Sequence, residues 1–416
     1  MKVFKFGGAS LKNAAAIRNI VSIIKSQSKE NLVVVVSAMG KTTDAIEKII
    51  ALSQSAKSFE KEIKELEDYH TEIIEELFSD PKDALLQLTK LLKELEKTVL
   101  LKGEYDFVYD QLIGYGEVIS SAIFHLFLQH EGLPSDWIDS RKYICTDSTF
   151  REGKIQWTET ESKMLSLKST LKNKIVIAQG FIGSNDKDET ISLGREGSDF
   201  SAAIFGCCLQ AESVTIWKDV PGVMSADPKR IQGAVVFEEL PYKETAEMTY
   251  YGASVIHPKT VKPLANKGIP LYVKSFVDPD LIGTKIHECH IDKLPPLIVH
   301  KENQCLISCK VTDYSFINEE QLEIIFGAIS ECGLRVNVMQ NSAISFSFCV
   351  DYRENRVLKL ISLLSKSFEV FYNTGLTLIT VKNYDPKTFN EYRNLKGVIL
   401  EQSSRSALQV LIKNSK

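Results

Sequence analysis

The sequence predicts an α/β protein in two parts: a three-layer α/β/α domain around a mainly parallel sheet, then a smaller α+β region of ferredoxin-like βαββαβ type. Three observations carry this. Up to about residue 290, short β-branched runs alternate with helical stretches, as in parallel strands joined by helices. Leu32-Val33-Val34-Val35-Val36 and Ile175-Val176-Ile177-Ala178 are continuously apolar, which suits strands covered on both faces. After Pro295-Pro296 the order changes to strand, helix, strand, strand, helix, strand.

The bulk numbers agree with two or three domains. At 416 residues the chain exceeds one ordinary core, and 44% hydrophobic with 25% charged residues is the balance of a soluble globular protein. No apolar run approaches the ~18 residues of a membrane span, and the first residues enter a strand without a signal pattern, so a cytoplasmic protein is expected. A net charge of −4 gives no general attraction to nucleic acid or to an anionic membrane. The eight cysteines lack framework spacing and read as reduced core residues. His287, Cys289 and His290 have no second ligand pair at finger spacing and read as a polar boundary segment.

Taken in order, Lys2-Val3-Phe4-Lys5-Phe6 is a buried strand running into Gly7-Gly8-Ala9-Ser10, with a helix expected from about Leu11. The glycines let the backbone turn without a Cβ in the way. Their amides, Lys5 and the helix N-terminus then either cradle a phosphate or simply make a turn. A second strand tip, Ser37-Ala38-Met39-Gly40-Lys41-Thr42-Thr43-Asp44, carries hydroxyls that cap a helix or meet a ligand at the carboxyl edge of the sheet. Helices follow, one with Ile63, Leu66, His70, Ile73 and Leu77 on one face, the next with Leu85, Leu88, Leu92, Leu95 and Val99, separated by Pro81. Near Gln111 to Gln129 an apolar helix holds Gly116-Glu117, a carboxylate that needs either a structural partner or an ammonium ligand.

The strand ending in Gln179 leads to Gly180-Phe181-Ile182-Gly183, a polar hairpin, and Leu193-Gly194-Arg195-Glu196-Gly197-Ser198-Asp199 at the start of an alanine-rich helix. Arg195 suits bidentate carboxylate binding. Asp199 suits orienting lysines or a hydrated metal, and either Ser198 or Asp199 also suits a helix cap. Ser213 to Trp217 is another strand, followed by Lys218-Asp219-Val220-Pro221-Gly222 and Asp227-Pro228-Lys229. A helix from Thr245 to Ser254 leads to His257-Pro258-Lys259-Thr260, where Lys259 is a second candidate phosphate cation, and Leu271 to Lys274 is one more strand. Beyond the proline pair come a strand at Cys305–Val311, a helix at Glu319–Ser330, strands at Arg335–Gln340 and Ile344–Val350, a helix at Glu354–Leu364 and a strand at Phe368–Tyr372. A partial repeat follows, with strands at Leu376–Val381, Val398–Glu401 and Ala407–Ile412, a helix near Pro386–Leu395, and Leu297-Ile298-Val299 as a possible missing strand.

In this order the motifs resemble those of aspartate kinases of the amino-acid kinase superfamily, which carry C-terminal ACT domains. The matching stretches are Lys5-Phe6-Gly7-Gly8-x-Ser10, Ser37-Ala38-Met39-Gly40-x-Thr42-Thr43, Gly116-Glu117, Gly180-Phe181-Ile182-Gly183, Leu193-Gly194-Arg195-x-Gly197-Ser198-Asp199, Trp217-x-Asp219-Val220-x-Gly222, Asp227-Pro228 and His257-Pro258-Lys259-Thr260. The resemblance implies phosphorylation of the aspartate side-chain carboxylate by ATP with Mg²⁺, opening lysine, methionine and threonine synthesis. It implies a catalytic domain over 1–290 and a regulatory region over 296–416, its first ACT unit at about 304–372 and its second at about 373–416 plus the strand at 296–301. Lys5 and Lys259 would stabilise phosphoryl charge, with Asp199 orienting the lysines and helping to place the metal. Gly7, Gly8, Ser10, Trp217, Lys218, Asp219, Gly222 and Lys229 would meet ATP. Glu117 would take the substrate α-ammonium and Arg195 its α-carboxylate, with Ser37, Thr42 and Ser198 adding hydrogen bonds. Asn337, Gln340 and Asn341 fall where effector contacts are expected, a lysine or threonine effector is implied, and ACT pairing implies a homodimer.

Some positions depart from the family pattern. Ala9 stands for a threonine, Glu196 for a glycine, and Lys218 and Pro221 alter the Trp-Thr-Asp-Val-Asp-Gly stretch; Glu196 is expected to point outward or to pair with Lys218. The first ACT loop, Thr312-Asp313-Tyr314-Ser315-Phe316, lacks the usual Pro-Gly. Two other readings stand beside the kinase: a catalytically weak ACT-type amino-acid sensor, and another amino-acid kinase of the superfamily.

Overall fold

The structure is a computed structural model that describes residues 1–27, 31–252, 256–313 and 315–413. Ser254, Val255 and Tyr314, on which parts of the sequence expectations fell, lie outside them. The chain forms two compact units, one of Met1–Val223, Val236–Ala246 and Ser254–His290, the other of Met224–Val235, Glu247–Ala253 and Ile291–Lys416.

The first unit contains β1 (Lys2–Phe6), β2 (Leu32–Val36), β3 (Ser135–Trp137), β4 (Ile175–Gln179), β5 (Ile182–Ser184), β6 (Thr190–Ser192), β7 (Ser213–Lys218), β8 (Glu239–Pro241), β9 (Leu271–Ser275) and β10 (Thr284–His287). All but β5 and β6 form one sheet in the order β3-β4-β2-β1-β7-β9-β10-β8. It is parallel from β3 to β9, and β10 runs antiparallel to β9. The mainly parallel three-layer expectation is met, and every residue of β2 and β4 is buried, as their uninterrupted apolar runs require. β5 and β6 are the expected hairpin. Pro81 separates the helices Glu60–Leu77 and Lys82–Val99.

Two local expectations change. The helix expected from Leu11 begins at Ala14, because Gly8–Leu11 closes into a single 3₁₀ turn, so no helix N-terminus opens directly onto the glycines. The helical stretch Tyr105–His130, two helices abutting at Gly114, is long and apolar enough by length and composition to cross a membrane, contrary to the expectation that no run approaches that size. Its most apolar window is 78% buried, with Val108, Leu112, Ile119 and Ile123 in the core of this unit.

The second unit contains β11 (Leu297–Lys310), β12 (Val336–Asn341), β13 (Ser345–Asp351), β14 (Glu369–Lys382), β15 (Val398–Ser403) and β16 (Ala407–Lys413). They form one antiparallel sheet, β12-β13-β11-β14-β16-β15, with helices at Glu319–Glu331, Glu354–Leu364 and Pro386–Arg393. The βαββαβ order is present. The separate strands expected at 297–299 and 305–311 are one continuous β11, and those at 368–372 and 376–381 are one β14. Polar Glu302 and Asn303 and Gly375 do not break them. The interruption is absorbed as register shifts between Lys301 and Leu306 and by the left-handed Asn303 (φ 54°) and Gly375 (φ 70°). All eight cysteines are free thiols, and all but Cys289 are buried.

Candidate active site

The site grows from the carboxyl ends of β1, β2 and β7. Period-two alternation sends Phe4 and Phe6 to one face of β1 and Lys5 to the other, and the parallel register continues this across β7, where Trp217 lies beside Phe6. Phe6 and Trp217 stack at 5.9 Å and Phe4 meets Trp217 edge-on at 5.6 Å, anchoring the strand ends in the core. The glycine turn then packs against the second strand tip. A Cβ on Gly8 would lie 2.8 Å from the Ala38 carbonyl oxygen, and the Gly40 amide donates to the Gly8 carbonyl at 3.1 Å. The Ser10 hydroxyl donates to the Gly7 carbonyl at 2.6 Å, closing the turn.

On the lysine face, Lys5 Nζ lies 2.6 Å from Asp199 Oδ1, and Lys218 Nζ, from the end of β7, lies 3.3 Å from Asp199 Oδ2. Asp199 is 2% exposed, in the first turn of the helix Gly197–Leu209. Burial alone would push its carboxyl up, but the charges of Lys5 and then Lys218 outweigh this and hold it below the ordinary carboxylate range. Glu117 is 4% exposed at the start of the helix Tyr115–His130. Burial pushes its carboxyl up to about 8, against the pull of the Ala38 and Glu117 amides and of Lys5, and its Oε2 has no hydrogen-bond partner. Both clusters line one cleft of about 510 Å³ together with Ser37, Arg195, Glu196 and Ser198. A cation-rich corner thus shares the cleft with a buried carboxyl and a guanidinium, the charge pattern for a zwitterion beside a polyphosphate.

Several expected site residues sit elsewhere. Thr42 is turned inward, its hydroxyl 3.3 Å from His70 Nε2, and the next residue, Thr43, lines the cleft instead. The Trp217 side chain belongs to the core, 2% exposed. Gly222 answers packing, since a Cβ there would lie 2.6 Å from Thr284 Oγ1. Asp219 is exposed in the loop after β7, and Lys229, in the second unit, is exposed on a turn whose amide donates to Asp227 at 2.9 Å. Lys259 does not share Asp199 with Lys5. Its Nζ pairs with Glu152 at 2.7 Å and lies beside Gly194, a cleft-lining residue, so the lysines that Asp199 orients are Lys5 and Lys218. Glu196 does not point outward: it lines the cleft in the left-handed conformation (φ 55°), with Oε2 buried and unbonded. In the second unit Asn337 is held by Lys301, Gln304 and Asp351, whereas Gln340 and Asn341 are exposed on β12.

Sequence reasoning missed Tyr109 and Arg151 on the cleft wall. The Arg151 guanidinium sits 4.2 Å over the Tyr109 ring, and the Arg151 amide donates to buried Asp110 at 2.7 Å. Neither residue belongs to a motif; the left-handed φ of 66° at Arg151 leaves no signature in a single sequence. Among the described residues no three His, Cys, Asp or Glu side chains group as a metal cage, and both Asp199 oxygens face lysines. The residues therefore do not fit a resident divalent ion, and Asp199 as its ligand is not supported.

A parallel sheet that gathers lysines around a buried carboxylate at its carboxyl edge defines a phosphotransferase-type fold and site, and residues 1–275 match the model of the amino acid kinase family. Lysine-sensitive aspartokinase 3 of Escherichia coli (strain K12) is 30% identical over 84% of this chain and 78% of its own length. The chain belongs to the amino acid kinase family and, within it, to the aspartokinases. A chloroplastic bifunctional aspartokinase/homoserine dehydrogenase of Daucus carota is 29% identical over 90% of the chain, which spans only 42% of that relative. E. coli aspartokinase III in complex with aspartate and ADP superposes with a TM-score of 0.85 at 26% identity, over 99% of this chain and 96% of that one. The same enzyme in complex with lysine and aspartate gives 0.83 at 25% identity, with the same coverage.

Proposed function

We propose that this chain is an aspartate kinase, transferring the γ-phosphoryl group of Mg–ATP to the side-chain carboxylate of L-aspartate. The observation that carries the reading is the pairing, in one cleft, of a buried carboxyl with one oxygen unpartnered, Glu117, with the Lys5–Asp199–Lys218 cluster. An α-ammonium is the partner that Glu117 lacks, and Arg195 answers the α-carboxylate, so the two ends of the substrate fix which carboxylate meets the nucleotide. Ser37, Thr43 and Ser198 add hydroxyls around it.

The acceptor carboxylate, with a reference value of ~3.9, is ionised near neutrality and needs no general base. Catalysis then rests on alignment and charge neutralisation. Asp199 holds the Lys5 ammonium where negative charge accumulates on the transferred group. Gly7 and Gly8 present backbone without side chains, and Lys259 leaves Glu152 to join the phosphates from the rim. Mg²⁺ arrives as part of the nucleotide substrate. The division into a catalytic region at 1–290 and ACT units at 304–372 and 373–416 plus 296–301, a homodimer formed through the ACT region, and inhibition by lysine or threonine belong to the same proposal.

The test is an ATP-dependent hydroxamate assay with L-aspartate, L-glutamate and no acceptor, repeated with added lysine and with threonine. Aspartyl hydroxamate from L-aspartate alone is expected. Folded protein that makes none would favour the amino-acid sensor. Light scattering tests the dimer, which a monomer would defeat.

A further inference from the structure

Two residues of the cleft, Lys218 and Glu196, have no step assigned to them in that scheme. Lys218 places a second cation at a corner that Lys5 and Asp199 already balance, and Glu196 brings a second carboxylate to where phosphates would arrive. Each is costly alone. Glu196 holds a left-handed backbone conformation that a glycine adopts without strain, and it keeps Oε2 buried and unbonded. Lys218 sits at the tip of β7, beside β1, and shares Asp199 with Lys5.

Together the two costs cancel in charge. Lys5 and Lys218 against Asp199 and Glu196 sum to zero, as Lys5 and Asp199 do without the other two. Lys218 is also the charge that most favours the ionised form of Glu196, against burial and the repulsion of Asp199. Between them the two residues add a movable cation without adding net charge to the empty cleft. An arriving polyphosphate takes up the Lys218 ammonium, and Glu196 keeps that ammonium in the cleft until it does.

We propose that Lys218 is a third phosphate-binding cation of this enzyme and that Glu196 is its positioning counter-charge, the two acting as one coupled pair; this rests on the kinase reading above. The coupling predicts an effect that changes with background. In K218T the carboxylate of Glu196 faces the phosphates without its strongest opposing cation, so Mg–ADP affinity falls by ~10-fold and KM for ATP rises similarly. Adding E196G to K218T removes the repulsion and recovers most of that loss. In the Lys218 background, E196G changes Mg–ADP affinity by less than ~2-fold and lowers kcat, because Lys218 is then held by Asp199 without the opposing pull of Glu196.

The experiment is a double-mutant cycle on the full chain, reading the Mg–ADP dissociation constant by calorimetry and kcat and KM by the hydroxamate assay. Circular dichroism melts accompany each variant, and K218R, expected to stay within ~3-fold of wild type, covers the case in which K218T does not fold. Recovery of affinity in the double variant supports the pair. An equal effect of E196G in both backgrounds, an unchanged affinity in K218T, a K218R as weak as K218T, or no Mg–ADP binding by the wild type overturns it. Wild-type protein that binds Mg–ADP but forms no aspartyl hydroxamate overturns the kinase reading instead, while the ADP cycle still decides the pair.

Discussion

Replacing Glu117 by glutamine separates what this buried carboxyl does for binding from what it does to stability. Burial, opposed by the Ala38 and Glu117 amides and by Lys5, pushes the carboxyl up to about 8 in the empty cleft, so at pH 7 it holds its proton in most molecules. An ammonium ligand requires the carboxylate. Aspartate binding at pH 7 should therefore release ~0.9 proton from Glu117, and its dissociation constant should tighten by close to tenfold from pH 6 to 7 and by ~5-fold from pH 7 to 8. In Glu117→Gln the release and the slope vanish, and affinity falls by ~100-fold. Stability moves the other way. A carboxyl raised from 4.5 to about 8 binds more protons folded than unfolded, so stability declines as pH rises through that window. At ~1.4 kcal/mol per pH unit, that interval caps the decline at ~5 kcal/mol. Ligand-free Glu117→Gln should accordingly melt above wild type at pH 8 and close to it at pH 4.5. Calorimetry in two buffers of different ionisation enthalpy and melts from pH 4.5 to 8.5 read both effects. No proton release and a flat affinity profile in the wild type would refute the argument.

Other outcomes follow from the same geometry. Burial depresses the His70 imidazole from 6.5 to about 4, against the pull of the Leu66 carbonyl, so wild type should lose up to ~3 kcal/mol as pH falls through that window; His70→Gln should flatten this acid limb in urea titrations at pH 4 and 6.5. Gly8→Ala drives a Cβ to 2.8 Å from the Ala38 carbonyl oxygen and should cost ~1–3 kcal/mol in denaturant midpoint as well as activity; an unchanged midpoint would mean that the turn gives way freely. Lys5→Met should lower kcat by ~10²–10³-fold with a smaller change in KM for aspartate, as expected for charge neutralised in the transition state. Arg195→Ala should chiefly raise KM for aspartate, by ~10-fold or more, and unchanged aspartate kinetics would reassign it.

The parts of the fold legible in the sequence were those with a strong local period. The valine run of β2 can only be a strand buried on both sides, and Pro81 can only end a helix. The continuity of β11 and β14 was not legible, because Glu302, Asn303 and Gly375 look like punctuation, and only cross-strand pairing keeps the chain extended through them. At the site, Lys5, Ser37, Glu117, Arg195, Ser198 and Asp199 converge as read. The choice between Thr42 and Thr43 depended on the phase of a helix relative to His70, which a pattern of hydroxyls does not encode. Of the two expectations for Glu196, the outward one fails: a glutamate suggests solvent, whereas at its left-handed position at the helix start it lines the cleft. Lys218 reached Asp199 because the parallel register of β1 and β7 brings together residues far apart in sequence.

The two 14-residue strands β11 and β14 bear on how the second unit can respond to a ligand. At ~3.3 Å per residue each is a beam of about 45 Å, shared by both halves of the sheet. There is no linker between those halves to act as a joint. A molecule that bent or twisted either half would deform a common plate, with the strain reaching the far end as a change of curvature. Regular pairing along the beams is interrupted at the pair of register shifts near Lys301 to Leu306, where fewer ladder bonds would resist bending. Stiffening that point, for instance by restoring regular pairing, would leave each half intact and make the plate less able to carry a signal from one to the other.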